Sequence, residues 1–300
     1  MHRNLAALLC LVVAVSTACS AGPAATNDPA GIGLAMADVA RAPASSGDAN
    51  AAAAAIDAFG LDLYQQLGKT GGNLVFSPAS IALALTMARL GARGETAAQM
   101  DTVLHALVPT TAGDAAATAA AGLNALDQAL AARSGTFPDE SGKSQDVILR
   151  IANATFAQRD MAIQPAYLDA LAASFGAGLR LVDYARDPDA ARKLINAWVA
   201  VHTERRIPEL LAPGTVDDLT RLALVNAIYL KAPWVTPFDP SLTKPDAFTR
   251  ADGTTVQVPM MHGGGELPYA EGAGWQAVEL PYVGGSLAMD VIVPDDLATF

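Results

Sequence analysis

The chain has 300 residues, of which 52% are hydrophobic and 16% charged, and its formal net charge is −11 at pH 7. This length allows one large domain or two ordinary ones with a substantial core. The sequence has no basic stripe that could neutralise phosphates, and its acidity argues against nucleic acid as a partner.

Residues 1–19 have the layout of an export signal. Arg3 gives a thin positive start, and the apolar run Leu5–Val15 is too short to span a bilayer. Ser16-Thr17-Ala18 then forms a small-residue cleavage site. We therefore predict a signal peptide over residues 1–19 and an exported protein, located outside the cell, on its surface or in the periplasm.

Cys19 follows the cleavage site directly and resembles the modified cysteine of a bacterial lipoprotein box. In that box the cysteine becomes a lipidated N-terminus, so Cys19 is a candidate for membrane anchoring. Ser16 stands where a branched aliphatic residue is usual, and simple cleavage after Ala18 is the alternative. The other cysteine is Cys10, so the sequence predicts no disulfide in the body of the protein.

Residues 20–50 are rich in Ala, Gly, Pro, Ser, Asn and Asp, a composition typical of a flexible linker. The folded domain is accordingly predicted over residues 51–300, beginning with a helix at Ala51. Asn73–Phe76 is predicted as a short strand. Ser77 then caps a mostly apolar helix over Pro78–Leu90, with Pro78 at its first position.

The remaining pattern places helices first and strands last. Helices are predicted at Gly94–Leu107, Gly113–Ala132, Pro165–Phe175 and Asp189–His202. Strands are predicted at Val147–Phe156, Leu179–Tyr184, Leu222–Lys231, in a hairpin over Ala247–Val258, and at Trp275–Tyr282 and Leu287–Val293. Ser134–Gln145 is predicted to be a polar loop. This order indicates an α+β fold rather than a doubly wound sheet.

The strand Leu222–Lys231 carries one polar residue on an apolar face. Leu224, Ile228 and Asn226 share that face at period two, and the opposite face is largely apolar as well. A buried carboxamide needs hydrogen-bond partners, so we predict a buried polar contact at Asn226 and a central position for this strand.

Six sequence motifs occur in order between about Ala54 and Phe300. They are Asn73–Ile81, Leu90–Thr96, Ile195–Val199 with Thr203 and Ile207, Leu224–Lys231, Val258–Met261, and Leu280–Tyr282. In this order they resemble the motifs of serpins, the serine protease inhibitor family, and the chain resembles that family throughout this range. The resemblance implies N-terminal helices, a large and mostly antiparallel sheet A, and further sheets B and C.

The resemblance also implies roles for four residues. Ser77, Ser80 and Asn226 match the shutter, where sheet A parts to admit a new strand, and Trp234 matches the tryptophan of the breach, where insertion begins. Two positions depart from the family pattern. Ala232-Pro233 precedes Trp234 where a glycine is usual, and Arg205 stands where a glycine is common.

The activity implied by the resemblance is suicide inhibition of a serine or cysteine protease. The protease cleaves a reactive loop, which then inserts into sheet A. In serpins this loop follows the region matching Phe300, so the reactive bond is not in the chain, and we expect residues 1–300 to lack the C-terminal part of the fold. The alternatives are a non-inhibitory serpin-like surface binding protein and an inactive fragment. No cofactor is expected.

One catalytic motif competes with this interpretation. Ser241-Leu242-Thr243-Lys244 fits the S-x-x-K pattern of serine β-lactamases, and Lys69-Thr70-Gly71 supplies a K-T-G. Their order is reversed and no S-D-N occurs, so we do not expect an enzyme. The histidines lack the spacing of a metal site.

Overall fold

A computed structural model of the protein describes residues 32–70, 72–106, 115–250, 252–263 and 265–296. The predicted signal peptide, Cys19 and residues 20–31 of the predicted linker lie outside these ranges.

The described helices agree closely with the predicted ones. Ser77 accepts a hydrogen bond from the Ser80 backbone N–H, and Asp187 accepts one from Ala190, so each caps a helix whose first residue is proline. The helices are α1 (Ser46–Leu67), α2 (Pro78–Arg89), α3 (Gly94–Val103), α4 (Ala115–Ala131), α5 (Pro165–Phe175) and α6 (Pro188–His202).

The strands follow the predicted order, with three additions: β1, β2 and β8. They are β1 (Gly33–Ala35), β2 (Gly135–Pro138), β3 (Ser144–Gln158), β4 (Leu179–Val182), β5 (Leu222–Lys231), β6 (Lys244–Thr249), β7 (Thr255–Met260), β8 (Tyr269–Gly272), β9 (Trp275–Pro281) and β10 (Ala288–Pro294).

The main sheet is built around the long strand β3. Its neighbour β4 runs parallel to it, with Thr155 opposite Leu179, and β1 pairs antiparallel with the other edge of β4. Along most of its length β3 pairs antiparallel with β5, and its first residues pair with β2. The sheet is therefore mixed, and mostly antiparallel.

Both faces of the main sheet are covered by helices. On one face, β3 and β5 pack against α6, where Trp198 contacts Phe156 edge to face at 5.8 Å between ring centroids. On the other face, Ala157 of β3 packs with Leu83 of α2 and Leu171 of α5. Residues of β3 and β5 alternate between these two cores, as the period of a strand requires.

Two smaller sheets complete the described fold. The strands β8, β9 and β10 form an antiparallel sheet with β9 in the middle, and β6 and β7 form the predicted hairpin. The apolar side chains Ile292 and Val293 on β10 are 51% and 60% exposed. An exposed apolar edge strand is a surface that another strand or layer can cover.

Over residues 32–50, the structure corrects the prediction of a linker at residues 20–50 and a domain start at 51. Ile32 is 2% exposed and belongs to the core beneath α6, β1 is part of the main sheet, and α1 begins at Ser46. Small residues gave this segment the composition of a linker, yet small residues are also what allows close packing against a sheet edge.

Other differences concern strand pairing. Asn73–Phe76 is not paired within the described residues, and Val75 is 96% exposed. The predicted loop Ser134–Gln145 is instead a hairpin formed by β2 and the start of β3. The strand β5, predicted to be central, lies at the edge of the described sheet and pairs only with β3.

Candidate functional site at the free edge of the main sheet

The site is defined by β5, whose ten residues pair with β3 on one side and with no described strand on the other. Every second backbone N–H and C=O group of β5 therefore points to an open edge. Ile228 and Leu230 near the end of β5 are 36% and 45% exposed. The edge is long enough to accept a complete additional strand.

The helix α2 begins behind this part of the sheet with the predicted pair of serines. Ser77 is half-buried, and its Oγ lies 3.3 Å from the backbone N of Ser80. Ser80 is 5% exposed, in the first turn of α2. The local sequence explains this placement, because a serine before proline favours the extended conformation of a helix N-cap.

Asn226 faces the same side of the sheet as α2, as its alternation with Val225 and Ala227 requires. It lies directly opposite Asn153 of β3, and its Nδ2 donates a hydrogen bond to Asn153 Oδ1. Among the described residues, no hydrogen bond joins Asn226 to Ser77 or Ser80. The predicted polar contact of Asn226 is therefore formed across the strands with Asn153, a residue not predicted from the sequence, and it is partly rather than fully buried.

A signal for Asn153 was available in the sequence. It is an uncharged polar residue that shares one face of the predicted strand Val147–Phe156 with the apolar residue Ile151, as Asn226 shares a face with Leu224 and Ile228. Finding the pair required the register between β3 and β5, which is set by tertiary packing and not by either strand alone.

Two buried hydroxyls lie on the same side of the sheet as Asn153 and Asn226. Together with Ser77, these residues form what we call the polar layer behind the sheet. The Oγ of Ser80 and the Oγ1 of Thr155 have no hydrogen-bond partner within the described residues. Thr155 is fully buried and lies on the same face of β3 as Asn153. Unpaired buried hydroxyls are unfavourable, so this layer would gain hydrogen bonds in an arrangement that supplied partners.

Trp234 follows β5 after Ala232 and Pro233, and it connects the main sheet to the sheet of β8, β9 and β10. Its ring stacks on that of Tyr282, with the centroids 4.3 Å apart and the planes 13° from parallel. The backbone on both sides of Trp234 is fixed, because Val235 N donates to Pro281 O and Val283 N donates to Pro233 O, each at 2.9 Å. Trp234 therefore lies just beyond the end of β5, held against Tyr282 of the neighbouring sheet.

Trp234 also lines a cavity of about 200 Å³ together with the tip of the hairpin between β2 and β3. Asp139 organises this tip by accepting hydrogen bonds from Ser141, Lys143 and Gln145. These bonds, above all those from the Ser141 and Gln145 side chains, lower the pKa of the Asp139 carboxyl from 3.8 to about 2.

The helix α6 is fixed over the front of the sheet by a buried polar clamp. Asn196 accepts hydrogen bonds from the backbone N–H groups of Leu210 and Leu211 and donates one to Leu211 O, at 2.9 to 3.0 Å. Arg192 also donates to Leu211 O, and to Glu209 Oε1 at 2.6 Å. The clamp joins α6 to the segment that leads into β5. Neither Asn196 nor Arg192 was predicted from the sequence as a site residue.

The turn after α6 contains the position where Arg205 departs from the family pattern. Arg205 has φ 58° and Glu204 has φ 50°, so both adopt the left-handed conformation. Glycine reaches this conformation without strain, which explains why glycine is common at the position of Arg205.

The competing catalytic motif does not form a buried site. Ser241 lies in an exposed turn of 3₁₀ helix, and its backbone N–H donates to Asp239. The described residues contain no group of three or more potential metal ligands. No helix within the described ranges has the length and apolar character of a membrane span.

Comparisons with known proteins agree with this architecture. Residues 54–299 match the model of the family described as "Serpin (serine protease inhibitor)". The chain is 37% identical to the protein named Ipis-1 of Ixodes persulcatus and 37% identical to the leukocyte elastase inhibitor of Bos taurus. Each match covers 80% of this chain and 60% of the relative, so the chain spans about three fifths of the length of these relatives.

A solved structure supports the same assignment. The structure of ovalbumin from emu (Dromaius novaehollandiae) superposes with a TM-score of 0.72 at 29% identity, covering 82% of this chain and 64% of the ovalbumin chain. The fold is thus serpin-like, with helices, a mixed main sheet and two further sheets. Serpins are protease inhibitors rather than enzymes, and the match over residues 54–299 shows that this chain belongs to the serpin family.

Proposed function

We propose that the full-length protein inhibits a serine or cysteine protease by inserting its cleaved reactive loop as a new strand alongside β5. The observation that carries this proposal is the free edge of β5, which offers a complete row of backbone donors and acceptors. An inserted strand would pair with this row and cover the exposed Ile228 and Leu230.

The polar layer behind β5 supports this mechanism. An interlocked apolar core resists sliding, because its contacts depend on close shape complementarity. A hydrogen-bonded layer can exchange partners as the strands move. We propose that Asn226, Ser77 and Ser80 act as the shutter, that Asn153 belongs to it, and that Trp234 marks the breach where insertion begins.

The inserting segment would come from the part of the serpin fold that residues 1–300 do not match. The chain covers 60% of the elastase inhibitor of Bos taurus, so the reactive loop is proposed to follow residue 300 in the full-length protein. The target protease would be set by the residues of that loop.

Incubation of the full-length protein with trypsin-like, subtilisin-like and papain-like proteases tests the proposal. We expect a covalent complex with at least one of them, visible as a band that survives denaturing electrophoresis. The control is the same protease with its nucleophile blocked, which should form no such band. Clean cleavage of the protein without any complex would refute trapping and favour a non-inhibitory serpin that binds a partner.

We also propose that the protein is exported and anchored to a membrane by lipid at Cys19. The support is the signal-like sequence of residues 1–19 and the position of Cys19 after Ser16-Thr17-Ala18. Replacing Cys19→Ser should release the protein from membranes, whereas Cys10→Ser, in the same segment, should leave it bound. Release of the unmodified protein to the same extent as Cys19→Ser would instead indicate simple secretion.

A further inference from the structure

The first described segment of the chain, residues 32–42, lies in a groove made by three elements of the body. Its strand β1 pairs with β4, placing Gly33 opposite Leu181 and Ala35 opposite Leu179. Ahead of this strand, Ile32 is buried in the core under α6. Without β1, the outer edge of β4 would be an open edge of the main sheet.

The end of the segment is fixed by a dense set of polar contacts on α4 and α5. Arg41 donates to the Oδ1 of Asn124 and to the Oδ2 of Asp127, both at 2.7 Å. Ala42 donates its N–H to Ala173 O at 2.8 Å, and its C=O accepts from Asn124 Nδ2 at 2.9 Å. Asn124 is 2% exposed, so a buried side chain of the body has both ends of its amide committed to this segment.

The groove also fits an extended peptide closely. Gly178, which precedes β4, is buried, and a Cβ at this position would lie 2.6 Å from Ala35 O and 2.8 Å from Met36 Cβ. The absence of a side chain at Gly178 is therefore what allows the segment to approach. Beneath it lies a cavity of about 250 Å³, lined in part by Leu34, Arg41 and Asn153.

We propose that the edge of β4, together with Asn124, Asp127 and Gly178, is a binding groove for an extended peptide, and that residues 32–42 occupy it as a clasp that closes this edge to other strands. The clasp lines the cavity that reaches Asn153, the partner of Asn226 in the polar layer. This role does not depend on protease inhibition, because it concerns the opposite edge of the sheet from β5.

Two variants of the full-length protein should release residues 32–42 from the groove, one by altering the clasp and the other by altering the groove. Arg41→Ala removes the charged contacts of the clasp and leaves the groove intact, whereas Gly178→Val fills the groove. In both, we expect amides of β4 to exchange with deuterium about tenfold faster or more, and we expect concentration-dependent association in light scattering. Gly68→Ala is the control, because a Cβ at Gly68 meets no atom within 4 Å and the φ of Gly68 is −61°.

A synthetic peptide of residues 31–43 distinguishes a defect in the clasp from a defect in the groove. Added in trans, it should restore β4 protection and the monomeric state to Arg41→Ala, and should do neither for Gly178→Val. The same peptide carrying Arg41→Ala should be inactive on both.

A disulfide gives a test that does not require the clasp to be destabilised. The Cβ built at Gly33 lies 3.9 Å from Leu181 Cβ, a spacing that suits a disulfide. Gly33→Cys with Leu181→Cys, combined with Arg41→Ala, should restore slow exchange when oxidised and lose it when reduced. The proposal is overturned if Arg41→Ala keeps unchanged β4 exchange and remains monomeric, or if the oxidised disulfide fails to form.

Discussion

At the scale of single residues, the turn after α6 has a strained backbone and sets the direction in which the chain runs towards β5. Glu204 and Arg205 are the two consecutive left-handed residues that carry the chain from α6 towards β5. The backbone N of Arg205 donates to Ala200 O at 2.7 Å, and the Arg205 side chain is exposed. The strained backbone is thus held by hydrogen bonds and not by the side chain.

Arg205→Gly should therefore stabilise the protein. Removing the Cβ relieves the left-handed strain, while the greater freedom of glycine in the unfolded chain offsets part of the gain, which leaves about 0.5–1 kcal/mol. Denaturant unfolding of the full-length protein measures the change. The neighbouring Arg206→Gly is the control, since Arg206 has no positive φ and glycine there should only destabilise.

We predict a pKa of about 2 for the Asp139 carboxyl. The chemical shift of its carboxyl carbon, followed by NMR as the pH is changed, measures this pKa. Because this folded pKa lies below the ordinary 3.8, the carboxylate stabilises the hairpin tip above pH 3.8, and the contribution is lost as pH falls through 2. Replacing Gln145→Ala removes one of the bonds and should move the pKa upward. An Asp139 pKa near 3.8 in the unmodified protein would contradict this account of the tip.

At the scale of elements, α6 is held to the sheet in two different ways. Its apolar side, with Ile195 and Val199, packs on the main sheet, and its polar clamp binds the backbone of Leu210 and Leu211. The apolar contacts tolerate small shifts of α6 along the sheet. The hydrogen bonds of Asn196 are directional and are formed in only one position of α6 relative to Leu210 and Leu211. The clamp therefore fixes where the chain enters β5.

Asn196→Ala should destabilise the protein by about 2 kcal/mol, since it removes three hydrogen bonds from the buried Asn196 side chain to the partly buried backbone of Leu210 and Leu211. Thermal or denaturant unfolding of the full-length protein measures this loss. Asn50→Ala, at an exposed position of α1, is the matched control and should change stability little. Equal effects at the two asparagines would show that the clamp contributes nothing specific.

The helices were predicted well from the sequence because their signals are local. Ser77-Pro78 and Asp187-Pro188 mark helix starts by their own chemistry, and both caps are present in the structure. The strands β2 and β8 pair with the next strand along the chain, but each is short and mostly exposed, so neither has the alternating apolar pattern that predicts a strand. The strand β1 was missed because it is short and pairs with the distant strand β4. For the same reason Asn226 was recognised as a polar residue needing a partner, while its actual partner Asn153 was not.

At the scale of the whole molecule, the main sheet has two edges with different character. The β4 edge is closed by the chain's own residues 32–42, whereas the β5 edge is free among the described residues. Between them lies a sheet covered by α6 on one face and by α2 and α5 on the other. Within the described residues, a new strand can therefore pair with β5 at its free edge but not with β4, whose outer edge is occupied.

Hydrogen–deuterium exchange across β5, before and after proteolytic cleavage of the full-length protein, tests this arrangement most directly. We predict that amides within Leu222–Lys231 become strongly protected after cleavage, because an inserted strand pairs with the free edge, and that the melting temperature rises at the same time. The exchange of β9, in the middle of its own sheet, should change little and serves as the internal control. Unchanged exchange across β5 after complete cleavage would contradict the account.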